Sequence, residues 1–114
     1  MDDEVSPERA VMIRLRARLA VVATDARLSK AQARRLAVMA QDGLSRAIHP
    51  VHTPLDGDVV FAVATGRVPL SDTVGDLARI GDAAARVLAR AVAIGVYEAT
   101  STSWPPTWRE VYGR

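Results

Sequence analysis

The chain has two short apolar runs with the character of buried β-strands, Leu19–Ala23 and Val59–Ala64. The first run continues an alternation of apolar residues and arginines that begins at Ile13, and this period of two predicts a strand. Both runs are apolar at successive positions, which is typical of strands covered on both faces. Because a stable sheet needs further strands or a covering helix, we expect this sheet to take partners from elsewhere.

A helix is predicted after each strand. Ser29-Lys30-Ala31-Gln32 has the form of a capping box, and apolar residues then recur at helical spacing to about Ile48, where His49-Pro50 stops the helix. A second capping candidate, Thr73-Val74-Gly75-Asp76, begins a long apolar helix that continues to about Thr100. The order of strand, helix, strand and helix predicts a layered α/β unit.

Composition limits the function classes. A chain of 114 residues has room for one small domain, and with 4% aromatic residues we expect no complete small-molecule or cofactor site within it. The absence of cysteine excludes thiol catalysis and Cys-based metal sites and favours the cytosol. No apolar run approaches the roughly 18 residues of a membrane span, and the acidic start Met1–Glu4 differs from the basic start of a signal peptide. We therefore expect neither membrane insertion nor export.

Two carboxylates stand at the entrance to the second strand, in Asp56-Gly57-Asp58. Such a pair can orient a nucleophile, hold a protonated amine or bind a cation, but on this motif alone we favour a polar turn before a strand. A Mg²⁺ or Ca²⁺ ion needs further oxygen ligands, which the surrounding sequence does not supply. We therefore expect no metal site here.

Other candidate residues have simpler interpretations. His49 and His52 lie on a loop interrupted by proline without a third ligand, so we expect them to cap a helix or bond to the loop. Ser29 and Thr73 are interpreted as helix caps.

The ladder of Arg14, Arg16 and Arg18 can meet phosphates, but we favour a solvated strand face or a subunit contact. We expect Trp104-Pro105-Pro106 to anchor the C-terminal tail.

Segments in a fixed order across roughly residues 19–100 resemble the L-aminopeptidase/D-amidase-esterase (DmpA-like) peptidases, which include the nylon-oligomer hydrolases. They are Leu19-Ala20-Val21-Val22-Ala23-Thr24-Asp25-Ala26, the helix from Leu28 to Asp42-Gly43-Leu44, His52-Thr53-Pro54, Asp56-Gly57-Asp58-Val59-Val60-Phe61-Ala62, and Gly81-Asp82-Ala83-Ala84. The resemblance implies a proenzyme that cuts itself and exposes a Ser or Thr nucleophile, with its α-amine as base, at the start of a smaller C-terminal subunit. It also implies an αββα sandwich completed by a larger N-terminal subunit, and commonly an oligomer.

This chain is similar to the smaller subunit, but it departs from the family pattern at the nucleophile. The family has an Asn-Thr-Thr-like or Gly-Ser-like step before the first strand, where this chain reads Arg16-Ala17-Arg18, so Ala17 stands at the nucleophile position without a hydroxyl. Asp56 and Asp58 match the polar pair that orients the nucleophile and its amine. The resemblance divides the chain into a leader unlike the family (1–18), a core (19–100) and an aromatic tail (101–114).

The sequence thus predicts a truncated or frameshifted small subunit of a peptide or amide hydrolase, inactive alone; a degenerate paralogue is the competing explanation. The alternative is a non-catalytic subunit that docks its exposed sheet onto a separate large subunit or forms a homo-oligomer. Nucleic-acid binding through the arginine ladder is the weaker third hypothesis.

Overall fold

The computed structural model describes residues 19–49, 51, 57–100 and 106–113. The elements are β1 (Leu19–Ala26), α1 (Lys30–Ala40), α2 (Asp42–Ala47), β2 (Val59–Val68), α3 (Thr73–Glu98) and α4 (Trp108–Tyr112). The predicted order of strand, helix, strand and helix is confirmed, and the fold class is mixed α/β. The first helix is divided at Gln41, and a short helix lies in the tail, which the sequence pattern did not predict.

The two strands form a parallel pair in which Leu19 lies opposite Val59 and Thr24 lies opposite Ala64. A parallel pair requires a crossover connection, and α1 and α2 belong to it. Near the other end of the sheet the register shifts, so that Ala26 pairs with Val68. Both strands therefore begin at one edge of the sheet and end at the opposite edge.

The strand β2 continues past Thr65-Gly66, where the sequence suggests an end. Gly66 has φ 78°, a left-handed conformation that favours glycine, and it lies in the irregular part of the register. The Arg27 backbone N–H donates to the Val68 carbonyl oxygen at 2.7 Å, and the Arg27 Nε donates to the Gly66 carbonyl oxygen at 3.3 Å. Three residues of β2, 65–67, thus lie opposite Asp25 alone and form a bulge within the strand.

The core lies between one face of the sheet and the helices. It contains a buried cluster of residues from β1, α1, α2 and α3: Val22, Leu36, Ala40, Leu44 and Leu88. Leu36, Ala40 and Leu44 follow each other at four-residue intervals, so the helical spacing in the sequence correctly marks the buried face. Leu36 and Leu44 are the largest fully buried side chains in the described part of the chain.

The first helix divides where the chain comes close to α3. At Gln41 the helix tightens, because the Leu44 backbone N–H donates to the Gln41 carbonyl oxygen at 2.9 Å. Gly43 then packs against α3 so closely that a Cβ atom there would collide with the Ala85 carbonyl oxygen. The contact between α2 and α3 therefore depends on the missing side chain of Gly43.

The start of α3 is held by two carboxylates. Asp72 is the N-cap and accepts from the Gly75 backbone N–H at 3.2 Å, so the assignment of Thr73 as the cap is wrong. Asp76 accepts from the backbone N–H groups of Ser71 and Asp72, both at 3.1 Å, and from the Arg79 guanidinium. A negative charge at this position also suits the positive end of the helix dipole, which a Thr hydroxyl cannot match.

Two glycine substitutions test the packing of α3. Gly43→Ala forces a methyl group against α3 and is expected to destabilise the fold by about 1–3 kcal/mol. Gly95→Ala is the matched control within α3, because a Cβ there meets no neighbouring atom and alanine stabilises a helix by up to about 1 kcal/mol relative to glycine. Urea unfolding of the three proteins measures both changes. A Gly43→Ala protein as stable as the native chain would contradict the close contact.

The Asp76 carboxylate gives the fold a pH dependence. Its hydrogen bond to Arg79, followed by the N–H groups of Asp72 and Ser71, lowers the pKa of Asp76 to about 2. A carboxylate with a lowered folded-state pKa stabilises the fold above its unfolded pKa of about 4, and the contribution is lost as the pH falls through about 2. We expect the difference in urea midpoint between the native chain and Asp76→Asn to shrink as the pH is lowered across this window. A constant difference would show that Asp76 does not carry the effect.

Candidate active site at one edge of the sheet

The parallel register brings two parts of the predicted site to the same edge of the sheet. Leu19 begins β1 and lies opposite Val59, which begins β2. Asp58 immediately precedes Val59 and is partly buried. The start of β1 and the carboxylate that precedes β2 therefore lie at the same edge of the sheet, although about 40 residues of sequence separate Leu19 from Val59.

The other predicted site residues fall outside the described ranges. Ala17 precedes Leu19 by two positions, and Asp56 precedes Asp58 by two positions. The structure thus locates one residue of the predicted carboxylate pair and the strand that follows the nucleophile position. The arginines of the ladder, His52 and Trp104 also lie outside the described residues, so their predicted roles stay predictions.

His49 follows the end of α2 and is exposed. It lines a groove of about 520 Å³ whose other residues come mainly from α3 and α4, among them Val92, Tyr97 and Trp108. The Trp108 ring packs against that of Tyr97 with 5.6 Å between centroids, and the Arg109 guanidinium lies 5.6 Å from the Tyr97 ring centroid. Within the described tail, the anchoring aromatic residue is Trp108.

The hydroxyl groups on the helix starts lie away from Asp58. Ser29 follows the end of β1, and Thr73 follows the end of β2, so both belong to the opposite edge of the sheet. The Ser29 hydroxyl accepts from the Gln32 backbone N–H at 3.2 Å, and the Gln32 side chain accepts from the Ser29 N–H at 2.8 Å, which confirms the predicted capping box. Among the described residues, no group of three or more His, Cys, Asp or Glu side chains is placed to hold a metal ion.

The outer face of the sheet is apolar and exposed in the described part of the chain. Leu19 is 75% exposed, Val21 60% and Phe61 53%, although apolar runs of this kind predict cover on both faces. The helices pack on the inner face, where Val22 belongs to the buried core. We call the outward-facing residues of the two strands the outer apolar face: Leu19, Val21, Ala23, Val59, Phe61 and Val63.

Within the described ranges, no helix combines the length and apolar character that a membrane crossing requires. The 26-residue helix α3 is long enough, but charged residues recur along it.

Comparison with known proteins gives consistent matches. Residues 6–106 match peptidase family S58, a range that begins inside the predicted leader, so the boundary at residue 18 stays a prediction. An uncharacterized aminopeptidase of Mycobacterium tuberculosis (strain H37Rv) is 46% identical over 104 residues, which cover 82% of this chain and 30% of the relative. An uncharacterized aminopeptidase of Mycobacterium leprae is 47% identical over 100 residues, which cover 79% of this chain and 28% of the relative.

A more distant relative has a named substrate. The 6-aminohexanoate-oligomer endohydrolase of Paenarthrobacter ureafaciens is 33% identical over 57 residues, which cover 50% of this chain and 16% of the relative. The chain therefore spans about 30% or less of the length of the curated relatives it matches.

Proposed function

Because the chain belongs to peptidase family S58, we propose that residues 19–100 are the small-subunit core of an amide or peptide hydrolase that works through a Ser or Thr acyl-enzyme. We further propose that this chain alone is inactive, since Ala17 occupies the nucleophile position. The observation that carries the proposal is the shared edge of the sheet. There the Leu19–Val59 register brings Asp58 beside the strand that follows residue 17.

The geometry suits an N-terminal nucleophile. Two residues of extended chain span at most about 7 Å, so position 17 lies within reach of the edge where Asp58 stands. A Ser or Thr hydroxyl there attacks a carbonyl carbon while the α-amine of the same residue takes its proton. The resulting ammonium group is stabilised by a neighbouring carboxylate, which is the role proposed for Asp58 together with Asp56.

The alanine at position 17 removes the first step of this chemistry. A methyl group has no lone pair with which to attack and no proton to give, so neither self-cleavage nor an acyl-enzyme can form through it. The proposed supporting carboxylate of Asp58 is still present, and so are the two strands that position it. We also propose that residues 1–18 are a segment separate from this core and that residues 101–114 are an aromatic tail.

The outer apolar face supports the second part of the proposal, a partner. An exposed and contiguous apolar face usually marks an interaction site. We propose that a larger polypeptide covers it to complete an αββα sandwich, since the curated relatives are about three times as long as the matched region. In this role the chain is a docking subunit even without catalysis, in the reducing cytosol that a chain without cysteine suits.

Activity assays test the assignment of position 17. The protein is prepared from residue 17 onward with Ala17, Ala17→Thr or Ala17→Val, each mixed with the part of the M. tuberculosis relative that this chain does not match. We expect hydrolysis of amino-acid p-nitroanilides only with Ala17→Thr, at least about 10³-fold above the others, because only that side chain carries a nucleophile. Valine matches the shape of threonine without its hydroxyl.

Two results would count against the proposal. Turnover by the unchanged 114-residue chain would refute its inactivity, and equal rates with threonine and valine would refute the assignment of position 17. Adding Asp58→Asn to the active variant is expected to lower its rate by about 10²-fold with the fold retained. An unchanged rate would remove Asp58 from the site.

A further inference from the structure

The short helix α4 is held against the last turn of α3 by two neighbouring side chains. The Trp108 ring packs on the Tyr97 ring with 5.6 Å between their centroids. The Arg109 guanidinium lies 5.6 Å from the centroid of the same Tyr97 ring, and its Nη2 donates to the Glu98 carbonyl oxygen at 3.2 Å. Tyr97 is therefore the point of attachment for both residues.

Arg109 supplies what the end of α3 lacks. A helix leaves its last carbonyl oxygens without a partner of its own, and the negative end of its dipole favours a cation. The last turn of α3 contains no basic residue. Arg109, eleven positions after Glu98, brings both a hydrogen-bond donor and a positive charge to this end. The end of α3 is thus capped from α4.

The helix α4 depends on this contact. It has five residues, and helices of that length are marginal at best in water, because nucleation costs more than so few hydrogen bonds return. Its capping box stabilises only its own first turn: the Thr107 hydroxyl accepts from the Glu110 N–H, and the Glu110 carboxylate accepts from the Thr107 N–H, both at 3.2 Å. None of its five residues is buried. Docking on α3 and formation of α4 are therefore coupled.

This contact lies toward the end of the molecule that carries Asp58. The crossover leaves the sheet after β1 and returns before β2, so the end of α2 lies toward the edge where β2 begins. The groove of about 520 Å³ joins the end of α2, including His49, to the last two turns of α3 and to Trp108 of α4. Docking of α4 thus supplies one wall of this groove.

We propose that α4 is a reversible latch. In the docked state it is helical, it caps α3 through Arg109, and Trp108 completes the groove. In the released state α4 unfolds, Tyr97 loses both partners, and the groove loses that wall. The contacts are few and partly open to water, with Trp108 44% and Tyr97 50% exposed, so release costs less than unfolding of the buried core.

The latch is distinct from the matched family region. Residues 6–106 match the family, whereas α4 begins at Trp108. The contacts that hold it do not involve Asp58 or position 17, so the latch does not depend on the proposed hydrolytic role.

Fluorescence follows the latch in the full 114-residue chain. The sequence has two tryptophans, so Trp104→Phe leaves Trp108 as the only one and serves as the reference protein. Two variants are made in this reference. Arg109→Gln removes the cation at the end of α3, and Arg90→Gln is the matched control, because Arg90 is an exposed arginine about two turns earlier in α3. Acrylamide quenching of Trp108 and hydrogen exchange along α3 are measured.

We expect Arg109→Gln to raise the quenching constant of Trp108 at least about twofold and amide exchange in the last turn of α3 at least about fivefold. Exchange near the buried Ala85 and Leu88 stays unchanged, and Arg90→Gln changes neither quantity by more than about 1.5-fold. Unchanged quenching and exchange in Arg109→Gln would overturn the latch contact. Faster exchange throughout α3 would also overturn it, because the substitution would then act on the whole fold.

Heating tests whether the latch opens as a separate unit. In the reference protein, the Trp108 emission is expected to shift to longer wavelength before the far-ultraviolet circular dichroism of the core is lost, and to return on cooling. One transition at the same temperature for both signals would overturn the reversible latch, because α4 would then unfold only together with the core.

Discussion

The parallel pairing of β1 with β2 is the constraint on which the rest of the structure depends. It sets Leu19 opposite Val59, and this register carries Asp58 to the edge where the chain enters β1. It also requires the crossover to which α1 and α2 belong, whose buried residues Leu36 and Leu44 fill the core. A register shifted by one residue would exchange the inner and outer faces of a strand and would lose both the core and the site edge.

The same pairing leaves one face of the sheet exposed in the described part of the chain. Two parallel strands with helices on one side expose the opposite face, and here that face is as apolar as a core. The exposed apolar face and the short coverage of the relatives both agree with our proposal that a larger polypeptide covers this face.

The elements were predictable from local patterns, since apolar runs located both strands and helical periodicity located the stripe of Leu36, Ala40 and Leu44. Features set by tertiary contact were not predictable from local patterns. The division at Gln41 accompanies the close packing of Gly43 on α3, and the bulge at Gly66 depends on the register with β1.

The site was partly predictable. The sequence singled out Asp58, but only the register shows that it lies beside the start of β1. Spacing along the chain cannot show which strand face lacks a cover.

Disulfide cross-linking tests the register most directly, because the chain has no cysteine of its own. Leu19→Cys combined with Val59→Cys places two thiols on opposed and exposed positions, where neighbouring strands bring Cα atoms within the 4.4–6.8 Å or so that a disulfide spans. In the control pair, Leu19→Cys with Val63→Cys, the second thiol lies about 13 Å farther along β2. The account predicts rapid intramolecular cross-linking in the first pair and none in the second, measured by mass spectrometry after mild oxidation. Cross-linking of the control pair alone would contradict the register and the candidate site built on it.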